Sequence, residues 1–153
     1  MTLPSPSSPL LLICAGTGIA PIRSLLYTRL HARPTAETML VFGCRFRDKD
    51  YYYREEIEEI ETQGVTVRVA FSRDGAKKSY VQHIIKEEKD RIWSLIQAGG
   101  HVLVSGNASR LPDAIKRALE DVFQSAGEMT PLDAQKKLVS MEKEERLVME
   151  CWA

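Results

Sequence analysis

Four short runs in this chain bring together residue types that chemistry needs. Ala15-Gly16-Thr17-Gly18-Ile19-Ala20-Pro21 sets two glycines after an apolar segment and ahead of a proline. Glycine lets the backbone turn sharply and approach a bound group, and a helix opening after the turn offers free N–H groups to a phosphate. A plain tight turn would use the same residues. The run is not the dinucleotide fingerprint G-x-G-x-x-G, because Pro21 replaces its third glycine. The Gly-Lys-Ser/Thr of the triphosphatase phosphate loop is absent too. The second run, Gly43-Cys44-Arg45, carries an arginine where an NAD-specific site would want an acid for the ribose 2′-hydroxyl. In the third, Ser72-Arg73 is followed by Lys77, Lys78, Tyr80 and Gln82. Hydroxyls and cations gathered there make either an ordinary charged surface or a pocket for the 2′-phosphate of NADP. The fourth, Ser105-Gly106-Asn107-Ala108, reads as another close-approach turn leading into a helix. Trp152 stands one residue from the end of the sequence. It either caps a sheet edge or lies over a planar ring, where stacking adds about 0.5–1.5 kcal/mol beyond burial.

Other chemistries are excluded by composition and spacing. The 21 Lys+Arg balance the 21 Asp+Glu, so no global basic field exists to hold nucleic acid or an anionic membrane. Cys14, Cys44 and Cys151 form no CxxC pair, which removes a zinc ribbon or a thioredoxin-type site. His31, His83 and His101 share no metal-ligand spacing. Sparse, unpaired cysteines without a signal peptide point to a reducing, cytoplasmic setting, in which the glycosylation pattern Asn107-Ala108-Ser109 has no meaning. The longest uninterrupted apolar run, Leu10 to Ala15, is far short of the ~20 residues a membrane helix needs.

These runs must be positioned by regular elements, and 153 residues at 44% hydrophobic suffice for one domain with a sizeable core. Residues 1–9, rich in proline and serine, read as a linker, as expected of a piece of a longer chain. Residues 10–153 then alternate between strand and helix. Strands are expected at 10–14, 39–43, 65–71, 101–104 and 147–152. Helices are expected from Pro21 through Leu30, from Tyr51 to Thr62, and as one long or two short segments across Tyr80–Gln97. Two more begin at Leu111 and at Pro131, the latter capped by Thr130. Five strands interleaved with helices imply an α/β fold, a doubly wound five-stranded parallel sheet with helices on both faces. Ligands of such sheets bind beyond the carboxyl ends of the strands, where all four runs fall.

In their order along the chain, GTGIAP, FGCR, YYYREE, AFSRD with Lys78-x-Tyr80-x-Gln82, SGNA and the terminal acid-x-Trp resemble the NADP-binding domain of the diflavin reductases, in the ferredoxin–NADP reductase superfamily. The likeness covers Leu10 to Ala153. The Gly106-Asn107-Ala108 turn with Pro112, and the Trp152-Ala153 end, resemble the cytosolic members that serve iron–sulfur protein assembly more than the cytochrome P450 reductases.

The resemblance implies roles for individual residues. Gly16, Thr17 and Gly18 would approach the pyrophosphate and nicotinamide half of NADP(H), and Cys44 and Arg45 would contact the dinucleotide. Ser72, Arg73, Lys78 and Tyr80 would clamp the 2′-phosphate and adenine, with Gln82 on the adenosine side. Trp152 would cover the flavin ring and move aside for nicotinamide, and Glu150 would be the carboxylate near the hydride-transfer centre. Ser105 and Asn107, either side of Gly106, stand where P450-reductase-type members carry a Cys and an Asp that assist hydride transfer and cofactor binding. Slower hydride transfer is the expected consequence. Ser109 takes the place of a frequent arginine, with Arg110 beside it. The resemblance also implies FAD and FMN on other domains of a parent chain, and a one-electron acceptor, an iron–sulfur protein of the anamorsin type or a haem protein. The domain alone is expected to bind NADP(H) without turning over. A non-catalytic nucleotide-binding or scaffold domain of the same fold is the alternative.

Overall fold

The computed structural model describes residues 1–75 and 78–152. Its strands are β1 (Leu10–Ala15), β2 (Thr38–Cys44), β3 (Thr66–Phe71), β4 (His101–Asn107) and β5 (Leu147–Trp152). Its helices are α1 (Ile19–His31), α2 (Arg54–Thr62), α3 (Val81–Glu87), α4 (Lys89–Gln97), α5 (Leu111–Ser125) and α6 (Pro131–Lys143). The strands form one parallel sheet in the order β3-β2-β1-β4-β5. The chain winds outward from β1 to β3, then returns to β4 and winds the other way. Because each parallel crossover is right-handed, that reversal moves the helices to the opposite face.

Two cores result. Leu10, Leu12 and Cys14 of β1 face α1 and α2 through Ile22, Leu26, Ile57 and Ile60. Leu11 and Ile13 face α3 to α6 through Ile84, Ile92, Ile115, Phe123 and Leu138. Every residue from Leu10 to Cys14 is fully buried, which is why β1 reads as a continuous apolar run rather than an alternating one. Thr130 caps α6 as expected, its Oγ1 accepting from the Asp133 N–H at 3.2 Å.

The bounds of several elements differ from the sequence reading, most of all in β4 and α2. Strand β4 does not stop at Val104 but runs through Ser105, Gly106 and Asn107, which pair in register with Glu150, Cys151 and Trp152 of β5. The expected turn is therefore strand, held by a partner more than forty residues away. Helix α2 begins at Arg54 instead of Tyr51. Tyr53 adopts a left-handed conformation (φ 60°), while the Tyr51 ring packs between Phe42 and Phe71 at centroid distances of 5.9 and 5.8 Å. Of the two readings left open across Tyr80–Gln97, the structure takes two short helices, broken at Glu88. Strand β3 starts at Thr66, one residue late.

Residues 1–9 form no helix or strand, yet they lie against the body. The buried guanidinium of Arg29 holds them, donating to the carbonyls of Ser8 (2.8 Å) and Ser5 (3.4 Å) and to Thr38 Oγ1 (2.7 Å). Among the described residues no helix is long and apolar enough to cross a membrane.

Candidate functional site

A cleft of about 590 Å³ opens beyond the carboxyl ends of β1, β2 and β4, where the strand order reverses. Its floor is the turn after β1. Gly16 has φ +56°, a conformation that favours glycine, and a Cβ there would meet no atom within 4 Å. Gly18 works from below. A Cβ on it would stand 2.7 Å from the carbonyl carbon of Ser105, and closer still to its oxygen, so only glycine lets the turn sit on β4. Gly106 has the same role on the other side, where a Cβ would meet Leu111 Cδ2 at 2.6 Å. Gly16 and Thr17 line the cleft; Gly18 and Gly106 support it without facing it.

One wall comes from the ends of β2 and β3. Their ladder continues past both strands: the Ser72 N–H donates to the Cys44 carbonyl and the Arg73 N–H to that of Arg45, each at 2.9 Å. Arg45 is thereby set beside Ser72-Arg73. Asp50 then fixes the loop after β2, its Oδ2 accepting from the Phe46 N–H (3.2 Å) and its Oδ1 from Arg45 Nη2 (3.4 Å). The Arg47 N–H donates to Asp74 Oδ2 at 3.0 Å, joining the two loops a second time. Arg45, Ser72, Tyr80 and Gln82 all line this wall. Arg73 and Lys78 are exposed and stand outside the lining, and Lys77 lies outside the described residues.

Cys44 also lines the cleft. Burial, with the nearby carboxylates of Asp50 and Asp74, raises its thiol to about 11, so at neutral pH it is an uncharged packing group and not a thiolate. Burial raises Cys14 and Cys151 too, and among the described residues no cluster is suited to a metal ion.

The opposite wall is Asn107, Arg110, Leu111 and Ala114, at the end of β4 and the first turn of α5, with Trp152 beside them. Trp152 is held by its strand: it pairs with Asn107, and its carbonyl accepts from the Ala108 N–H at 2.6 Å. Its side chain is still 42% exposed, so the ring is presented at the cleft rather than buried in the sheet edge. Glu150 lies outside the lining. It is exposed, and it accepts from the amino group of Met1 at 2.6 Å. Ser105 also lies outside, fully buried beneath the turn that Gly18 seals, and its hydroxyl has no hydrogen-bond partner.

The structure thus gathers Gly16, Thr17, Cys44, Arg45, Ser72, Tyr80, Gln82, Asn107 and Trp152 in one cleft. It leaves Gly18, Arg73, Lys78, Ser105, Gly106 and Glu150 around it. Sequence reasoning did not assign Asp50, Tyr52 and Ser79, which also line it. Asp50 heads the aromatic run Tyr51-Tyr52-Tyr53 just after β2, and a search for acids in strand-end loops would have found it.

The cleft's donors are the Arg45 and Arg110 guanidiniums, the Ser72 and Thr17 hydroxyls and the glycine turn, with Asp50 the one carboxylate among the described lining residues. That donor set suits a phosphorylated ligand, and the exposed rings of Tyr80 and Trp152 at its edge suit planar groups.

Comparison with known proteins agrees. The family model for the oxidoreductase NAD-binding domain matches residues 12–117. NADPH-dependent diflavin oxidoreductase 1 of Xenopus laevis is 40% identical over 151 residues, 97% of this chain and 25% of that protein. The protein of that name from Mus musculus is 36% identical over the same shares. NADPH–cytochrome P450 reductase of Drosophila melanogaster is 33% identical over 154 residues, 97% of this chain and 23% of that protein. The chain spans about a quarter of the length of these relatives.

Proposed function

We infer that this chain, which belongs to the oxidoreductase NAD-binding domain family, is the NADP(H)-docking module of a diflavin reductase. The observation that carries the reading is the single cleft with a phosphate-type wall at one end, Arg45 beside Ser72, and the exposed Trp152 ring at the other. An extended dinucleotide needs such a bipolar site. Bound NADPH supplies a hydride from its nicotinamide, and the chain's own residues orient and select.

Gly16 and Thr17 admit the pyrophosphate. Ser72, Arg45, Tyr80 and Gln82 receive the 2′-phosphorylated adenosine, and Arg73 and Lys78 close on it from the rim. Trp152, exposed at the cleft, would cover the flavin ring and move aside for nicotinamide. Fixing one end of the ligand at the clamp delivers the other to Trp152, which lowers the entropy cost of the productive geometry. Glu150, on the same strand as Trp152 and exposed, is the carboxylate the reading places near the hydride-transfer centre. Ser105 acts by supporting the turn from beneath, and with Asn107 it supplies no charge to the transfer.

FAD and FMN belong to other domains of the parent protein, so this chain binds NADP(H) without turning over. The two quoted diflavin oxidoreductases, at 40% and 36% identity against 33% for the P450 reductase, support that branch over the P450 reductases. An iron–sulfur protein of the anamorsin type is the acceptor that reading implies. The non-catalytic alternative gains nothing from relatives that all carry reductase or oxidoreductase names. Calorimetric titration of the chain with NADP⁺ and NAD⁺ tests the module. Binding of NADP⁺ at least tenfold tighter than NAD⁺ is expected, and equal affinities would remove the clamp from the proposal.

A further inference from the structure

Tyr80 presents an exposed ring to the cleft, and one side chain holds it there. The Tyr80 N–H donates to His83 Nδ1 at 2.9 Å, and the two rings lie 5.6 Å apart at 53°. The tie is reciprocal, since the His83 N–H donates to the Tyr80 carbonyl at 3.0 Å. Tyr80 is the extended N-cap residue of α3 (φ −122°, ψ 166°), and His83 is the third residue of that helix. In an ordinary capping box this third position is a Glu or Gln that accepts from the N-cap N–H. Here an imidazole does so, and it adds a tilted aromatic contact with the tyrosine ring that a carboxylate would lack.

The bond has a chemical condition. Nδ1 accepts only while it carries a lone pair, which requires the neutral ring with its proton on Nε2. The imidazolium donates at both nitrogens, so protonation turns the acceptor into a second donor facing the Tyr80 N–H. Of the charged groups on the elements packed against α3, Asp121 of α5 pairs with Lys86, Lys116 of α5 with Glu142, Arg68 of β3 with Glu87 and Glu88, and Arg91 of α4 with Glu37. Asp113, Arg117 and Glu120 of α5, and Lys89 and Asp90 of α4, are not paired with His83 among the described residues, and Cys44 of β2 and Cys14 of β1 are uncharged.

We propose that His83 is a positioning residue for the adenosine side of the cleft, holding Tyr80 against the ligand while its ring is neutral and releasing it when the ring is protonated. This rests on the cleft being the NADP(H) site. The chain and its His83→Gln and His83→Leu variants are titrated with adenosine 2′,5′-bisphosphate at about pH 8 and about pH 6, since protonation removes an imidazole acceptor but not an amide one. Glutamine keeps an acceptor that does not titrate, and leucine removes it. At the higher pH, His83→Gln binds like the parent chain and His83→Leu binds roughly two- to tenfold more weakly. At the lower pH, the parent weakens relative to His83→Gln by a similar factor. The ligand's own phosphate titrates equally in both proteins and cancels in that ratio. In a Tyr80→Ala background the ratio no longer depends on pH, which separates positioning through Tyr80 from a direct contact. A ratio that is the same at both pH values, or His83→Leu binding as tightly as the parent at the higher pH, overturns the role of His83. Failure of the parent chain to bind at either pH overturns the site reading itself, and this proposal with it.

Discussion

Replacing Arg73 by alanine is the sharpest test of the phosphate clamp, because the structure sets its size. The Arg73 backbone is fixed at the rim by its N–H bond to the Arg45 carbonyl at 2.9 Å, next to Ser72, while its side chain is exposed and outside the cleft lining. Closing that side chain on a 2′-phosphate gains a charge-assisted hydrogen bond of about 1.5–3 kcal/mol. Ordering a mobile arginine costs about 0.5–1.5 kcal/mol of rotamer freedom. The net is about 0–2.5 kcal/mol, centred on ~1.2 kcal/mol, or roughly eightfold in Kd. Isothermal titration at fixed salt near 0.1 M, where screening over ~10 Å is constant, measures Kd for NADP⁺ and NAD⁺ in both proteins. NADP⁺ binding is expected to weaken by that factor, with NAD⁺ binding unchanged within about twofold. Arg45→Ala provides the comparison. Arg45 already lines the cleft and is held by Asp50, so less ordering is required and its loss falls toward the upper end of the range. Equal weakening for both dinucleotides on Arg73→Ala would refute the reasoning, since a group that touches only the 2′-phosphate cannot affect a ligand that lacks it.

Gly18→Ala is expected to lower the melting temperature by about 2–12 °C, since its Cβ would press on the Ser105 backbone and overpacking costs about 1–3 kcal/mol at ~2–4 °C each. An unchanged thermal melt would show that the turn can lift off β4. Ser105→Ala removes a buried hydroxyl with no partner and should raise the melting temperature by a few degrees; a drop would mean that the hydroxyl is satisfied in solution. His101 is shifted below its ordinary range by burial first and by the Arg146 charge second. The unfolded chain therefore takes up this proton before the folded one, and stability is lost as pH falls below about 6.5. His101→Gln should shrink the loss of melting temperature between about pH 7 and about pH 5, and an identical pH profile would sink that assignment.

The sequence by itself determined the α/β alternation, the five strands and the candidate donors. Those signals are local: the unbroken apolar run of Leu10 to Cys14 requires a strand buried on both faces, and Pro131 after Thr130 requires a helix start. The motif order pointed to the family, because ordered matches need no knowledge of contacts. Other features were decided only in three dimensions. Nothing near Ser105-Gly106-Asn107 says strand; β5 makes it one by pairing with it across more than forty residues. That pairing also buries Ser105 and sets Trp152 beside Asn107 at the cleft. Glu150 belongs to the same strand as Trp152 yet lies outside the lining, a placement no motif encodes. Asp50 is visible as an acid in a strand-end loop, but its role lies in the Phe46 N–H and the Arg45 guanidinium it holds, and those partners meet only when the loop closes. Residue types and their local periodicity are written along the chain, whereas exposure, partnership and alignment arise when distant strands pair, so the donors could be named before folding but their arrangement could not.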